Sequence, residues 1–202
     1  LFVFIPNPKK ELMSAKGVMN DMYEGFKVIL KNRGISWVMA TEVLITFFVL
    51  PIVALMPLMT LKNFSGTAYQ VSLIEALFGI GMLIGGILLG IWNPKIRKIF
   101  LIVFSYFFLG LALALCGLLP TDRFILFAIL TVMQGIVIPF YSGPFTTLLQ
   151  TQFKPNYLGR VFALFDSVSL FPSIIGLLIT SVMADSLGIA NIFVYCGIAI
   201  VL

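Results

Sequence analysis

The chain has 202 residues, 60% of them hydrophobic and 10% charged, with a mean hydropathy of +1.11; a soluble domain carries about a quarter charged residues, so a water-soluble globule is excluded. The net charge of +5 does not indicate a nucleic-acid partner, because the bases sit in short segments between apolar runs. Histidine is absent and Cys116 and Cys196 fall inside apolar runs, which removes the commonest general base, a metal cluster and a disulfide framework.

Room remains for five or six spans of ~20 residues. Leu1 begins within an apolar run, no signal-peptide pattern follows, and Leu202 stops before any closing polar flank. The chain therefore reads as a piece of a longer polytopic protein. Residues 1–5 are the end of a preceding membrane helix, stopped by Pro6-Asn7-Pro8. Segment 6–33 is polar, and within it Leu12, Met19, Met22, Tyr23, Phe26, Ile29 and Leu30 recur at helical spacing between Lys16, Asp21, Glu24, Lys27 and Lys31. That pattern predicts an amphipathic helix at an interface.

Residues 34–202 are expected to hold six transmembrane helices. The first span, about Ile35 to Leu61, contains Glu42, Thr46, Pro51 and Pro57. The second, about Val71 to Trp92, holds Glu75 and two small-xxx-small pairs, Gly81 with Gly85 and Gly86 with Gly90, which let helices approach closely. A basic turn with Lys95, Arg97 and Lys98 leads to an uncharged third span, about Ile99 to Leu119, expected to face lipid or scaffold. The fourth, about Phe124 to Leu149, carries Gln134 and Tyr141 on one face together with Pro139 and Pro144. Pro155 and Gly159 mark a turn, and the fifth span runs from Val161 to the Ala184–Gly188 turn. The sixth starts near Ile189.

Alternate connections place Lys9, Lys10, Lys16, Lys27, Lys31, Arg33, Lys95, Arg97, Lys98, Lys154 and Arg160 on one side, and only Lys62 and Arg123 on the other. The positive-inside asymmetry makes segment 6–33 cytoplasmic. Pro51 and Pro57 recur as Pro139 and Pro144. Proline-broken first and fourth helices, entering from opposite sides, point to two inverted three-helix repeats and a transport path. The fold class is thus an all-α polytopic membrane bundle.

Ionisable groups in such helices are functional candidates by default. Glu42, ~12 Å in from Gly34 with Thr46 one turn on, is a candidate proton or cationic-substrate site. Asp166, ~9 Å past Arg160, shares an arc of roughly 80° with Ser169, Ser173 and Thr180. It either exchanges a proton or forms a fixed ion pair at a gate. Glu75 lies near the outer end of its helix and reads as a packed or interfacial acid, with charge sensing as the functional alternative. Thr46, Gln134, Tyr141, Phe162, Ser169 and Ser173 are candidates for lining a substrate cavity, or else make interhelical contacts. Arg97, Lys98 and Arg160 serve orientation or a cytoplasmic gate.

Three segments resemble the major facilitator superfamily. Asp21-Met-Tyr-Glu-Gly25-Phe-Lys-Val-Ile-Leu-Lys31-Asn-Arg33 is similar to the cytoplasmic helix joining that superfamily's two halves. Gln152-x-x-Pro155-x-x-x-x-Gly159-Arg160-Val161-Phe162 resembles the loop before its eleventh helix in drug and siderophore exporters, and Ala184-Asp185-x-Leu187-Gly188-Ile189 resembles the turn before the twelfth. The nearest match is the bacterial macrolide efflux family. The acid usual in the loop after the second span is replaced by Trp92-Asn93-Pro94, so no charge relay is expected there.

The resemblance implies the carboxyl half, helices seven to twelve, of a proton-coupled exporter of an amphipathic, drug-like compound in the bacterial inner membrane. It implies no cofactor beyond the proton gradient. The expected partners are the lipid bilayer, a missing amino-terminal half and a small-molecule substrate, with no nucleic acid. A siderophore or metabolite exporter is the alternative within the superfamily. A membrane enzyme would need a nucleophile with its base or a metal cluster, and a channel would need a repeated polar ring; the sequence supplies neither.

Overall fold

The computed structural model describes residues 33–92, 97–153 and 155–202. Residues 1–5, the amphipathic segment 6–33 apart from Arg33, and the turn and loop bases Lys95 and Lys154 lie outside the described residues. Everything regular among the described residues is helical: α1 (Arg33–Leu58, continuing into a wide turn at Met59–Asn63), α2 (Ala68–Trp92), α3 (Lys98–Leu118), α4 (Phe124–Gln152), α5 (Pro155–Leu187) and α6 (Ile189–Val201). The first five are long and apolar enough to cross a membrane; α6, at 13 residues, is shorter.

Local chemistry sets the boundaries. Pro51 and Pro57 lie inside α1, each lacking a backbone donor, and the π-type turn with Phe64 N–H on Met59 O follows the second. Thr67 and Gln70 cap α2 reciprocally: Thr67 N–H donates to Gln70 Oε1 at 2.8 Å and Gln70 N–H to Thr67 Oγ1 at 3.4 Å. Pro155 is the first residue of α5, where its missing N–H costs nothing, so the expected turn at Pro155–Gly159 is instead the opening of the helix. Gly188, at φ 83°, reverses the chain into α6.

Inside the apolar helices several hydroxyls are satisfied by their own backbone. Thr46 donates to Glu42 O, Ser105 to Leu101 O, Thr131 to Phe127 O, Ser173 to Ser169 O and Thr180 to Gly176 O, at 2.6–2.9 Å. This back-bonding lets polar residues reside where no water competes.

The packing reveals the inverted repeat. The principal pairings are α1 with α5, α2 with α4, α3 with α6, α3 with α4, and α1 with α6. Exchanging α1 with α4, α2 with α5 and α3 with α6 returns the same set. The close approaches agree in detail. A Cβ on Gly81 or Gly85 of α2 would strike the backbone of Val132 or Ile136 in α4, and one on Gly176 of α5 would lie 2.5 Å from Phe47 O in α1. Phe47 and Ile136 are 89 residues apart, Gly85 and Gly176 91, Pro51 and Pro139 88, Pro57 and Pro144 87.

Gly110 and Gly197, also 87 apart, meet each other. A Cβ on Gly110 would lie 2.7 Å from Gly197 O, and one on Gly197 2.6 Å from Gly110 O. A contact made reciprocally by equivalent positions sits on a two-fold axis. Gly117 in turn meets Ala190, so α3 and α6 run antiparallel through this crossing. The third span is accordingly scaffold on one face, with Ile102, Tyr106, Leu109, Leu113 and Cys116 buried along it, and exposed on the other from Ile99 to Leu118.

α2 and α5 each lie on one principal neighbour and leave a long apolar face open, from Leu73 to Ile91 and from Val168 to Val182. The two glycine pairs of α2 differ in use. Gly81 and Gly85 seat the helix on α4, whereas Cβ atoms on Gly86 and Gly90 would meet nothing within 4 Å.

Candidate functional site

On α1 the buried positions Ile35, Met39, Glu42, Ile45, Ile52, Leu55 and Met59 recur at steps of three, four and seven, the signature of one helix face turned to the core. Glu42 stands in that row, 8% exposed, and its Oε2 has no hydrogen-bond partner among the described residues. Tyr141 of α4 is half-buried against the same core. The Tyr141 ring lies 5.0 Å from that of Tyr106 on α3, whose buried hydroxyl is likewise without a partner among the described residues. One carboxyl and two phenols, from α1, α3 and α4, thus share the interior of the bundle.

A charged carboxylate there costs several kcal/mol unless something compensates it. Two things can: a proton on the oxygen or a cation beside it. The phenol of Tyr141 adds a group able to donate to, or accept from, an exchanging proton.

The other sequence candidates are distributed differently. Thr46 points its hydroxyl back to Glu42 O at 2.8 Å. Ser169, Ser173 and Thr180 are buried on the face of α5 that carries Gly176, the residue seated on α1; the Ser169 hydroxyl has no partner among the described residues. Asp166 lies at the margin of that arc and is exposed, so the structure separates it from the buried hydroxyls. Phe162 is half-buried against the core cluster. Arg97 precedes α3 and Lys98 opens it, while the Arg160 guanidinium lies 5.9 Å from the Tyr157 ring centroid.

Gln134 is 2% exposed and donates from Nε2 to Cys116 Sγ at 3.2 Å. It borders a cavity of about 230 Å³ enclosed by α1, α2, α3 and α4, to which Glu75 and Thr131 also contribute. Glu75 is itself exposed at the edge of this cavity.

Sequence reasoning missed Tyr106, Thr131 and Cys116. The third span was read for charge and has none; its Ser105-Tyr106 pair in a run of phenylalanines was the available signal.

The family model for the Major Facilitator Superfamily matches residues 37–202. Macrolide efflux protein A of Streptococcus pyogenes is 38% identical over 183 residues, 91% of this chain and 45% of that protein. Its namesake in Enterococcus faecalis is 40% identical over 159 residues, 79% of this chain and 49% of that protein. An uncharacterized MFS-type transporter of Bacillus subtilis, YfiS, is 28% identical over 164 residues, covering 78% and 39%. The chain spans about half the length or less of these relatives. With six helices in swapped-repeat packing and a family match from the first helix to the last, the chain belongs to the major facilitator superfamily of membrane transporters.

Proposed function

We propose that this chain is the carboxyl half of a secondary efflux transporter that exchanges protons for an amphipathic, macrolide-type compound by alternating access. The observation that carries the reading is the buried carboxyl of Glu42, whose Oε2 has no partner among the described residues, in a helix interrupted by two prolines. Such a group must be neutralised by a proton or a cation, and alternation between the two is what antiport requires. The open faces of α2 and α5 provide the surface on which an amino-terminal half packs. The relatives named for macrolide efflux supply the substrate class. The bacterial inner membrane is the location in this reading, with the basic side, represented among the described residues by Arg33, Arg97, Lys98 and Arg160, facing the cytoplasm.

Asp166 and Glu75 enter as further charge-sensing groups, Ser169, Ser173 and Phe162 as cavity lining, and Arg97, Lys98 and Arg160 as the cytoplasmic gate. The test is transport by the full-length protein in proteoliposomes. Glu42→Gln and Asp166→Asn are each expected to abolish pH-gradient-driven efflux while leaving substrate counterflow. Unchanged efflux in both removes the proton-coupling role. A resistance profile of cells expressing the complete gene identifies the compound; protection against siderophores or metabolites alone would favour that branch of the superfamily.

A further inference from the structure

We propose that the cavity between α1, α2, α3 and α4 is a binding site for a small lipophilic ammonium ion, held by the exposed Glu75 and the buried Gln134 of its lining. The cavity is separate from the Glu42–Tyr141–Tyr106 group, and the proposal holds whatever the direction or coupling of transport. Its walls are apolar, formed by Ile52, Ile74, Phe78, Leu109 and Leu113.

The polar groups present mainly acceptors. The Thr131 hydroxyl spends its proton on Phe127 O at 2.9 Å. Gln134 directs one Nε2 hydrogen to Cys116 Sγ, and its amide oxygen is the acceptor it adds to the lining. Glu75 makes no hydrogen bond or ion pair among the described residues, although it stands two turns inside a membrane-spanning helix. The two bases of its own side do not serve it: Arg123 pairs with Asp122 at 3.6 Å, and Lys62 borders a different cavity beside Ala184 and Gly188. An unpaired intramembrane carboxylate beside an apolar hole calls for a cation with an apolar body.

Size restricts the body further. An apolar cavity of about 150 Å³ accepts benzene. At about 230 Å³, this one has room for a ring and a short ammonium arm. Benzyltrimethylammonium is the matching probe, and neopentylbenzene is its neutral carbon isostere.

The experiment is equilibrium binding of radiolabelled benzyltrimethylammonium to the full-length protein in detergent. Saturable binding is expected, with Glu75→Gln weakening it at least tenfold and neopentylbenzene competing at least tenfold less well than the unlabelled cation. Equal competition by the isostere overturns the proposal, since the hole would then be merely apolar. That comparison is made in the wild type and stands whether or not the variant folds. A folded Glu75→Gln protein that binds the cation unchanged also overturns it, and would mean that Glu75 is neutralised from elsewhere in the protein.

Discussion

Replacing Gly176 by alanine tests the helix crossing that seats α5 on α1. The added methyl would lie 2.5 Å from Phe47 O, a backbone atom that cannot rotate aside, whereas ordinary contact begins at 3.4 Å. The two helices must therefore part by about 1 Å. Overpacking of this kind costs ~1–3 kcal/mol, and alanine's better helix propensity returns up to ~1 kcal/mol. The net loss is about 1–2 kcal/mol, or on the order of 2–8 °C in melting temperature for a domain of this size. Gly85→Ala, at the equivalent crossing of α2 on α4, is expected to lose a similar amount, because its methyl meets Ile136 O. Gly86→Ala, one residue on and facing open space among the described residues, is the control and should match the wild type or exceed it by up to ~1 kcal/mol. The chain provides its own reporter: Cys116 and Cys196 are buried, so a thiol-reactive dye signals unfolding once other cysteines in the full-length protein are removed. Melting of Gly176→Ala together with Gly86→Ala and the wild type would refute the crossing, and a large loss at Gly176 alone would refute the equivalence of the two repeats.

Glu42→Gln keeps the side chain's shape and removes its charge, so its thermal stability is expected to equal or exceed the wild type; a loss above ~1 kcal/mol would reveal a partner for the carboxylate. Gly188→Ala forces a β-carbon into the essentially glycine-only region at φ 83°, ψ 147° and should cost ~1–3 kcal/mol in the same melting assay, with Gly188→Asn no better tolerated. A cysteine at Ser65, in the exposed connection before α2, should react with an impermeant maleimide from outside intact cells, and one at Thr151 only after permeabilisation. The reverse pattern would invert the assigned orientation.

The helices were legible because hydrocarbon imposes a simple rule: backbone groups must be satisfied within each span, so long apolar runs between basic turns can only be helices. The inverted repeat was legible as well, since proline leaves the same mark at Pro51 and Pro139, and at Pro57 and Pro144, wherever the backbone repeats. Glycine carries no such label. Gly81-x-x-x-Gly85 and Gly86-x-x-x-Gly90 read alike, yet among the described residues only the first meets a neighbouring helix, because a pair's use depends on which neighbour the helix turns toward.

The candidate site divides along the same line. Membrane residence, helix boundaries and the identity of the few intramembrane acids follow from residue type and order, since burial of polar groups is costly at any point along a span. Which acid is sequestered is decided by rotation and neighbour choice, which depend on residues far away in the chain. α1 turns Glu42 into the core, where Tyr141 and Tyr106, from two other helices, pack ring against ring. α5 turns Ser169, Ser173 and Thr180 toward α1 and leaves Asp166 at the edge. Periodicity places all four of those residues on one arc, but only packing determines where the arc's buried part ends.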